Sequence, residues 1–571
     1  MKSATTSQKH LLTILVEDYF HVGAFENLIQ QRNWSNFEPR YEQNTIKALN
    51  LLDEYGTKAT FFVLGWIAEQ NPGLIRQIVA RGHEVASRGY YHRSLKNLTD
   101  EEFREDLKRT NKAIEDACGQ KVLGYRAAEK LSFAENEWMF NVLSDEGFAY
   151  DASFLPNVKD PKTKRFAHQV HIDGKAVWEF PYSTLDLGLG LLPISGGNYF
   201  RQIPYTLMRH AVRNWTQRHI EPLTFYLHVW ELDPEQPRIS AASNYNRIRH
   251  YRKLDKMEWI LRENLDLYDC GSIAEHLGLK EDIKVQSPMP TAQRQVATIG
   301  DSKSQPASTN ISVVIPCYNE TDALPYLANT LRAVEGDLIE NGYRPNFIFV
   351  DDKSTDGTLH LLNELFGDKK NFDILKHETN RGVAAGIMTG ILAAKTEIVC
   401  SMDCDCTYDP HELVNMLPLM SKNVAMVTAS PYHKDGGVRN VPGWRLFLSR
   451  GASFLYRRVL RSKLDTYTSC FRVYRRSSIV GMELTESGFL GVAEMLGRLD
   501  LSGGKIVEFP AVLEVRLFGL SKMKTAKTIL GHLKLLSSLI KLRWFRKSDA
   551  IIPSITTKKL NVVSENSTEL N

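Results

Sequence analysis

The chain has 571 residues, is 43% hydrophobic and 24% charged, and carries a formal net charge of +4. That length gives two to four domains, each long enough to bury a core, and the near-balance of charge argues against nucleic acid as the main partner. The seven cysteines are odd in number and follow no repeated spacing, which points to a reducing compartment rather than a disulfide framework. The N-terminus runs into a strand-like segment without the apolar stretch and cleavage site of a signal peptide. No uninterrupted apolar run reaches the roughly 18 residues that would predict a transmembrane helix. The expectation is a cytoplasmic protein, free or held peripherally on the inner face of the cytoplasmic membrane.

In chain order, residues 11–16 read as a buried strand, 45–55 as a helix, 59–63 as a second buried strand and 100–117 as a second helix. Residues 281–310 are rich in Ser, Pro, Gln and Thr without an apolar period, so they cannot bury enough surface to offset their ordering and read as a linker. Beyond it, 312–315, 347–350 and 398–402 are short apolar runs, each followed at once by polar residues. Both halves alternate strand and helix patterns, which predicts an α/β fold with domains at 1–280 and 311–547. Residues 548–571 are polar and read as a disordered tail.

In open parallel sheets, ligands bind beyond the carboxyl ends of strands. The first of the three runs ends in Pro316, Cys317, Tyr318, Asn319 and Glu320. The second ends in Asp351, Asp352, Lys353, Ser354, Thr355, Asp356 and Gly357, and the third in Asp403, Cys404 and Asp405. A diphosphate sugar carries charge that a hard divalent cation neutralises when one or two carboxylates and the phosphates hold it. Asp403 and Asp405, alternate residues at a strand end, suit such an ion, Mg²⁺ or Mn²⁺, acting as a Lewis acid on the departing diphosphate. Asp351 and Asp352 suit the base and ribose, although a helix-capping role fits them as well. Cys400, Cys404 and Cys406 match no usual zinc spacing and read as buried or incidental thiols.

This segment resembles family-2 glycosyltransferases of the GT-A type, and within them the polyprenyl-phosphate sugar synthases. Asn380-Arg381-Gly382, Asn440-Val441-Pro442, 468–476 and 516–522 extend the resemblance over about 235 residues. The resemblance implies a nucleotide-sugar donor bound by Pro316, Tyr318, Glu320, Asp351, Asp352 and Arg381, with Arg472, Arg516 and Lys522 on phosphate and Glu494 on the acceptor side. Cys470 and Lys353 stand where the family often has Gly. A single displacement with inversion is expected. A polyprenyl-phosphate acceptor is already anionic, whereas a glycan hydroxyl needs a base, for which Glu494 is the candidate. Residues 523–547 combine apolar residues at helical spacing with Lys and Arg, the pattern of an interfacial helix on an anionic membrane.

The first half resembles polysaccharide deacetylases of the family-4 carbohydrate esterases, in the branch found beside exosortase systems. The carriers are 16–22, 59–65, 82–87, 124–127, 150–153 and 225–231. The implied fold is a distorted (β/α) barrel with its site at the strand ends. The implied chemistry needs a metal held by one carboxylate and two histidines four apart, with a carboxylate base and a late histidine acid. Here Leu15 stands where the family has Asp, and Arg88 replaces the first histidine, leaving His92. Ala127-Ala128 replaces the usual Ala-Pro after Arg126, and His228 remains in place. A fixed guanidinium in a ligand position repels a divalent cation. Glu17, Asp18, Arg88, His92, Arg126 and His228 are therefore expected to form a degenerate site without a metal, in a domain that binds glycan or organises the transferase. Two other readings are a bifunctional enzyme with a metal at Glu17, Asp18 and His92, and a non-catalytic carbohydrate-binding scaffold.

Overall fold

The computed structural model describes residues 8–160, 162–188, 190–279, 308–519 and 525–545. The chain divides into two compact units, Met1–Asp301 and Ser302–Asn571.

The first unit is built on a nine-stranded sheet. Its strands are β1 (His10–Val16), β2 (Thr60–Val63), β3 (Glu84–Ser87), β4 (Gly124–Tyr125), β5 (Tyr150–Asp151), β6 (His168–Ile172) and β7 (Lys175–Glu179). A separate hairpin of β8 (Thr184–Asp186) and β9 (Leu191–Pro193) follows, then β10 (Thr224–His228) and β11 (Cys270–Gly271). The order is β10-β1-β2-β3-β4-β5-β7-β6, with β11 also on β1; every pair is parallel except β6 with β7. This is an open, barrel-type sheet. Successive strand side chains face opposite sides. Leu12, Ile14 and Val16 accordingly join the large core beneath the helices, while Leu11 and Leu15 join a small inner cluster with Phe62, Ala86, Tyr150 and Tyr226. Two of the helices are α1 (Tyr41–Glu54) and α2 (Asp100–Cys118). The Thr99 hydroxyl and Glu102 carboxylate cap the start of α2 reciprocally, and Gly119 at φ +71° ends it, as capping rules require. Phe103, Leu107, Thr110, Ile114 and Ala117 form its buried stripe.

The second unit has a seven-stranded sheet in the order β14-β13-β12-β15-β18-β16-β19. The strands are β12 (Thr309–Cys317), β13 (Tyr343–Asp351), β14 (Phe372–Lys376), β15 (Ile398–Ser401), β16 (Val424–Ser430), β17 (Gly437–Arg439), β18 (Arg472–Arg475), β19 (Lys505–Pro510) and β20 (Val512–Glu514). Strand β18 runs antiparallel to both neighbours, and β17 pairs only with β20. Its main helices are α3 (Leu324–Glu340), α4 (Thr358–Phe366), α5 (Val383–Ala393), α6 (Gly443–Val459), α7 (Phe489–Leu501) and α8 (Thr525–Phe545). Ile311, Val313, Ile315, Phe347 and Phe349 pack on one face, and Val314, Ile348 and Val350 on the other. A sheet buried on both faces needs such unbroken apolar strands.

The linker expected at 281–310 ends earlier, because Thr309 and Asn310 already pair with Tyr343 and Arg344. The rest of it, apart from Ser308, lies outside the described residues, as does the expected tail. The helix expected at 45–55 begins at Tyr41, and Met402 lies just beyond the end of β15.

Candidate functional site

Strands β13, β12 and β15 are adjacent and parallel, with Cys317 opposite Asp351 and Val314 opposite Ser401. Their carboxyl ends therefore bring Asp351, Glu320, Asp403 and Asp405 to one edge. The loops are tied together. The Asn319 amide nitrogen donates to Ser354 Oγ at 2.9 Å, Thr355 N donates to Asn319 Oδ1 at 2.7 Å, and Glu320 N donates to Thr358 Oγ1 at 2.7 Å. Lys353, standing where glycine is frequent, has φ +61°, the left-handed conformation that glycine adopts without cost.

The two acidic residues after Val350 have different jobs. Asp352 accepts from Arg381 N at 2.7 Å and Gly382 N at 2.6 Å, and pairs with His377 Nδ1 at 2.7 Å. It is a brace for the Asn380-Arg381-Gly382 loop, which corrects its assignment to the donor's base and ribose. Gly382 has φ +90°, and a Cβ there would lie 2.7 Å from Gly488 Cα. Asp351 is buried, and its Oδ2 accepts from Ser354 N at 3.2 Å. Its Oδ1 has no hydrogen-bond partner among the described residues.

Asp405 Oδ1 accepts from Thr407 N at 3.2 Å, and its Oδ2 lies 3.5 Å from Arg516 Nε. The same guanidinium forms an ion pair with Glu320 through Nη2 and donates from Nε to the Phe518 carbonyl at 2.8 Å. Burial, then the Asp405 charge, raises the Asp403 pKa, against a hydrogen bond with Cys470; burial also raises Asp405. Two carboxyls that resist ionising together are a pair that a divalent cation would relieve. Cys317 and Cys404 lie with sulfurs 3.6 Å apart between the ends of β12 and β15.

Several assignments are corrected. Arg472 is completely buried and donates to the Val492 and Tyr467 carbonyls at 2.7 and 2.9 Å and to Thr428 Oγ1 at 3.4 Å. It ties sheet to helix, and each of its three nitrogens donates within the fold. Glu494, 1% exposed on α7, accepts from Thr485 N, Thr485 Oγ1 and Glu486 N at 2.7–3.0 Å and pairs with Arg498 Nε at 2.7 Å. Burial alone would raise its pKa, but these bonds outweigh it and hold the carboxyl below its ordinary range. A weakly basic carboxylate with both oxygens engaged is a poor general base. Arg381 is exposed at the site's edge, and Pro316 and Tyr318 are half-buried. Lys522 lies outside the described residues. His377, missed by sequence reading, bridges Asp352 and Thr389 Oγ1; its signal is its place directly after β14.

In the first unit, Glu17 follows β1, Arg88 follows β3 and His228 ends β10. Glu17 Oε2 lies 2.7 Å from Arg88 Nε and 3.0 Å from His92 Nε2, and Oε1 pairs with His228 Nδ1. Arg88 also donates to the Ala127 carbonyl at 2.9 Å. Burial would raise the Glu17 pKa, yet Arg88, His228 and His92 drive it well below the usual carboxylate value. The guanidinium therefore occupies the place between Glu17 and His92 where a cation would sit, and these residues do not fit a metal. Asp18 accepts from Tyr19, Arg40 and Tyr41 backbone nitrogens at 2.6–2.9 Å, bonds that brace the entry to α1. That corrects the reading of Glu17, Asp18 and His92 as one metal set. Among the described residues no cluster of three or more His, Cys, Asp or Glu side chains is arranged to hold a metal ion.

Comparison with known proteins agrees with this division. Residues 312–480 match the model of glycosyl transferase family 2, residues 28–136 that of polysaccharide deacetylase, and residues 152–277 a domain of unknown function, DUF3473. The chain thus joins a polysaccharide deacetylase domain to a family-2 glycosyltransferase domain. It is 29% identical over 244 residues to a dolichol-phosphate mannosyltransferase of Pyrococcus furiosus, covering 42% of this chain and 66% of that protein. It is 28% identical over 218 residues to a polyprenol monophosphomannose synthase of Mycolicibacterium smegmatis, covering 37% of this chain and 80% of that one. A crystal structure of a putative polysaccharide deacetylase from Mycobacterium smegmatis is 18% identical, covering 51% of this chain and 98% of its own, with a TM-score of 0.31.

Proposed function

We propose that the second unit transfers a sugar from a nucleoside-diphosphate donor to a polyprenyl phosphate, in surface polysaccharide or lipid-linked glycan synthesis. The observation that carries this is the meeting, at three adjacent strand ends, of the unpartnered Asp351 Oδ1, the Asp403–Asp405 pair and Arg516. Asp351 accepts from the donor's base or ribose. Asp403 and Asp405 would hold Mg²⁺ or Mn²⁺, which would offset charge on the departing diphosphate. Arg516, beside Glu320 and Asp405, is placed to meet phosphate oxygens. With Glu494 committed to Thr485 and Arg498, the chain offers no other named base. An acceptor that arrives already ionised, as a lipid phosphate does, needs none, and this favours it over a glycan hydroxyl. The two curated relatives, both named for polyprenol-linked mannose transfer, support the same class of acceptor.

Peripheral contact with a membrane fits this reading. Helix α8 exposes Leu530, Leu533, Ile540 and Trp544, and α6 exposes Trp444, Phe447, Phe454 and Leu455. Neither helix contains an acidic residue, while α6 carries four arginines. Apolar side chains interleaved with cations suit an anionic lipid surface. No described helix is long and apolar enough to cross a membrane.

The first unit serves as a non-catalytic, glycan-binding domain, because Arg88 fills the cation's place. The test of the transferase reading is a melting-temperature screen of nucleotide sugars with and without Mg²⁺ or Mn²⁺. One donor stabilises the wild type only with the cation and leaves Asp403→Ala/Asp405→Ala unchanged. If every donor leaves both proteins unshifted, the scaffold reading replaces it.

A further inference from the structure

Arg126 follows β4 and is 1% exposed. A buried guanidinium is costly unless it is paired and hydrogen-bonded. Its Nη1 donates to Thr13 Oγ1 at 3.2 Å, a neutral acceptor, and its Nε has no partner among the described residues. The Tyr182 and Tyr226 rings lie 4.5 and 4.9 Å from its carbon. Leu15, in the same cluster as those rings, supplies no counter-charge.

The charge around it deepens the imbalance. Lys130 Nζ sits 4.2 Å from the centre of the Tyr199 ring and 5.3 Å from that of Tyr182, and donates to Tyr199 Oη at 2.9 Å. It makes no ion pair among the described residues. Burial, then Arg249 and Arg126, bring its pKa down to about 8. Arg249 is held close by its carbonyl, which accepts from Arg201 Nη1 at 3.1 Å and Gln202 Nε2 at 3.0 Å, on the helix Asn198–Gln202 that also carries Tyr199. Nearby acids offset the group only in part. Glu231 is paired with Arg201 at 2.7 Å. Asp151 and Glu179 are buried side by side; burial raises both pKa values, Asp151 raises that of Glu179 further, and the Arg126 charge acts in the opposite direction on Glu179.

We infer that Arg126, Lys130 and Arg249 form an oxyanion-binding subsite, walled by Tyr182, Tyr199 and Tyr226, for a carboxylate or phosphate carried on a sugar. The cations grade from exposed Arg249 through half-buried Lys130 to buried Arg126, so an entering anion is progressively stripped of water as it meets charge. Tyrosine rings against the cations leave hydroxyls for sugar oxygens. The sugar half of this inference rests on the reading of the first unit as glycan-binding; the anion half does not.

The test is calorimetric titration of the full chain in EDTA, which keeps the cation-dependent donor site silent. The probes are glucuronate, glucose 1-phosphate, inorganic phosphate and neutral glucose. Glucuronate or glucose 1-phosphate binds, glucose does not, and Lys130→Gln and Arg249→Gln each weaken binding about tenfold, the scale of one charge-assisted hydrogen bond. Whichever of the two sugars binds tighter identifies the anion. Arg126→Met removes the unpaired charge, so it melts no lower than wild type in anion-free buffer while losing the response to ligand. Equal binding of glucose and the anionic sugars, or wild-type affinity in Lys130→Gln, overturns the subsite. Binding of inorganic phosphate alone overturns its sugar half. None of these results bears on donor binding at Asp403 and Asp405.

Discussion

Glu494→Gln separates a catalytic from an architectural carboxylate. The side chain accepts backbone hydrogen bonds from Thr485 and Glu486 and pairs with Arg498. Glutamine keeps the shape but replaces one acceptor oxygen with an NH₂ group that faces N–H donors, and it removes the charge that Arg498 matches. Losing a charged, buried hydrogen-bond acceptor costs about 2–4 kcal/mol. For a unit of this size that lowers the melting midpoint by roughly 5–12 °C. The wild-type contribution is complete above the ordinary carboxylate pKa of 4.5 and fades as the pH falls below it, through the depressed folded value. The variant's stability is therefore flatter with pH in that acid window. Calorimetry of the second unit's transition from pH 3 to 7, beside transferase turnover well below melting, reads both effects. Turnover per folded molecule stays within about threefold of wild type, since the lost bonds touch no reacting atom. Unchanged stability with turnover abolished would refute the reasoning and restore Glu494 as the base.

Other consequences follow from the same geometry. Arg88→Met leaves Glu17 buried without its guanidinium and lowers the first unit's stability by about 3–5 kcal/mol, read as an earlier first transition on denaturant unfolding. Gly382→Ala meets Gly488 backbone at 2.7 Å with φ +90°; it costs about 2 kcal/mol or more and weakens donor affinity measured by titration. Because burial raises the Asp403 and Asp405 pKa values, and the Asp405 charge raises that of Asp403 further, protons compete with the cation. Mn²⁺ affinity by electron paramagnetic resonance rises between pH 6 and 8, by up to about tenfold per unit where one proton is displaced. Phe447 and Phe454 are 75% and 55% exposed, so Phe447→Glu/Phe454→Glu folds normally; it loses co-sedimentation with phosphatidylserine vesicles while remaining monomeric by light scattering. Persistent co-sedimentation would remove α6 from the membrane contact, and wild-type self-association abolished by the variant would identify a second copy as the occupant.

The sequence made the strand ends legible because unbroken apolar runs stop abruptly at charge: Val350 before Asp351, Met402 before Asp403, Val16 before Glu17. Residue type and position then pointed to Asp403, Asp405 and Glu320 at one edge, and the family resemblance added Arg516. What it could not separate was equal chemistry in unequal surroundings. Asp351 and Asp352 are neighbours of one type, yet one bonds three groups around a distant loop and the other keeps an oxygen free. Arg472 and Arg516 both read as phosphate ligands, but Arg472 lies on β18 between packed layers, where its donors go to carbonyls. Glu494 looked like a base because its i+4 partner, Arg498, and the Thr485 turn before α7 become significant only once the turn closes on it. The helix at Thr525–Phe545 was visible in its spacing, whereas the exposed face of α6 was not, because its apolar residues match those of a buried helix.

Arg516 between Glu320 and Asp405 has a thermodynamic consequence. It is an internal counter-ion, and a cation arriving alone at Asp405 must work against it, so the metal's affinity for the empty site is lowered by whatever that contact is worth. A diphosphate changes the exchange by offering the displaced guanidinium new oxygens. Metal and donor then each raise the other's affinity by the same factor, as linkage demands, and neither occupies the site efficiently alone. A transferase working as proposed would hold its cation when there is a donor to use it, and let it go with the spent nucleotide.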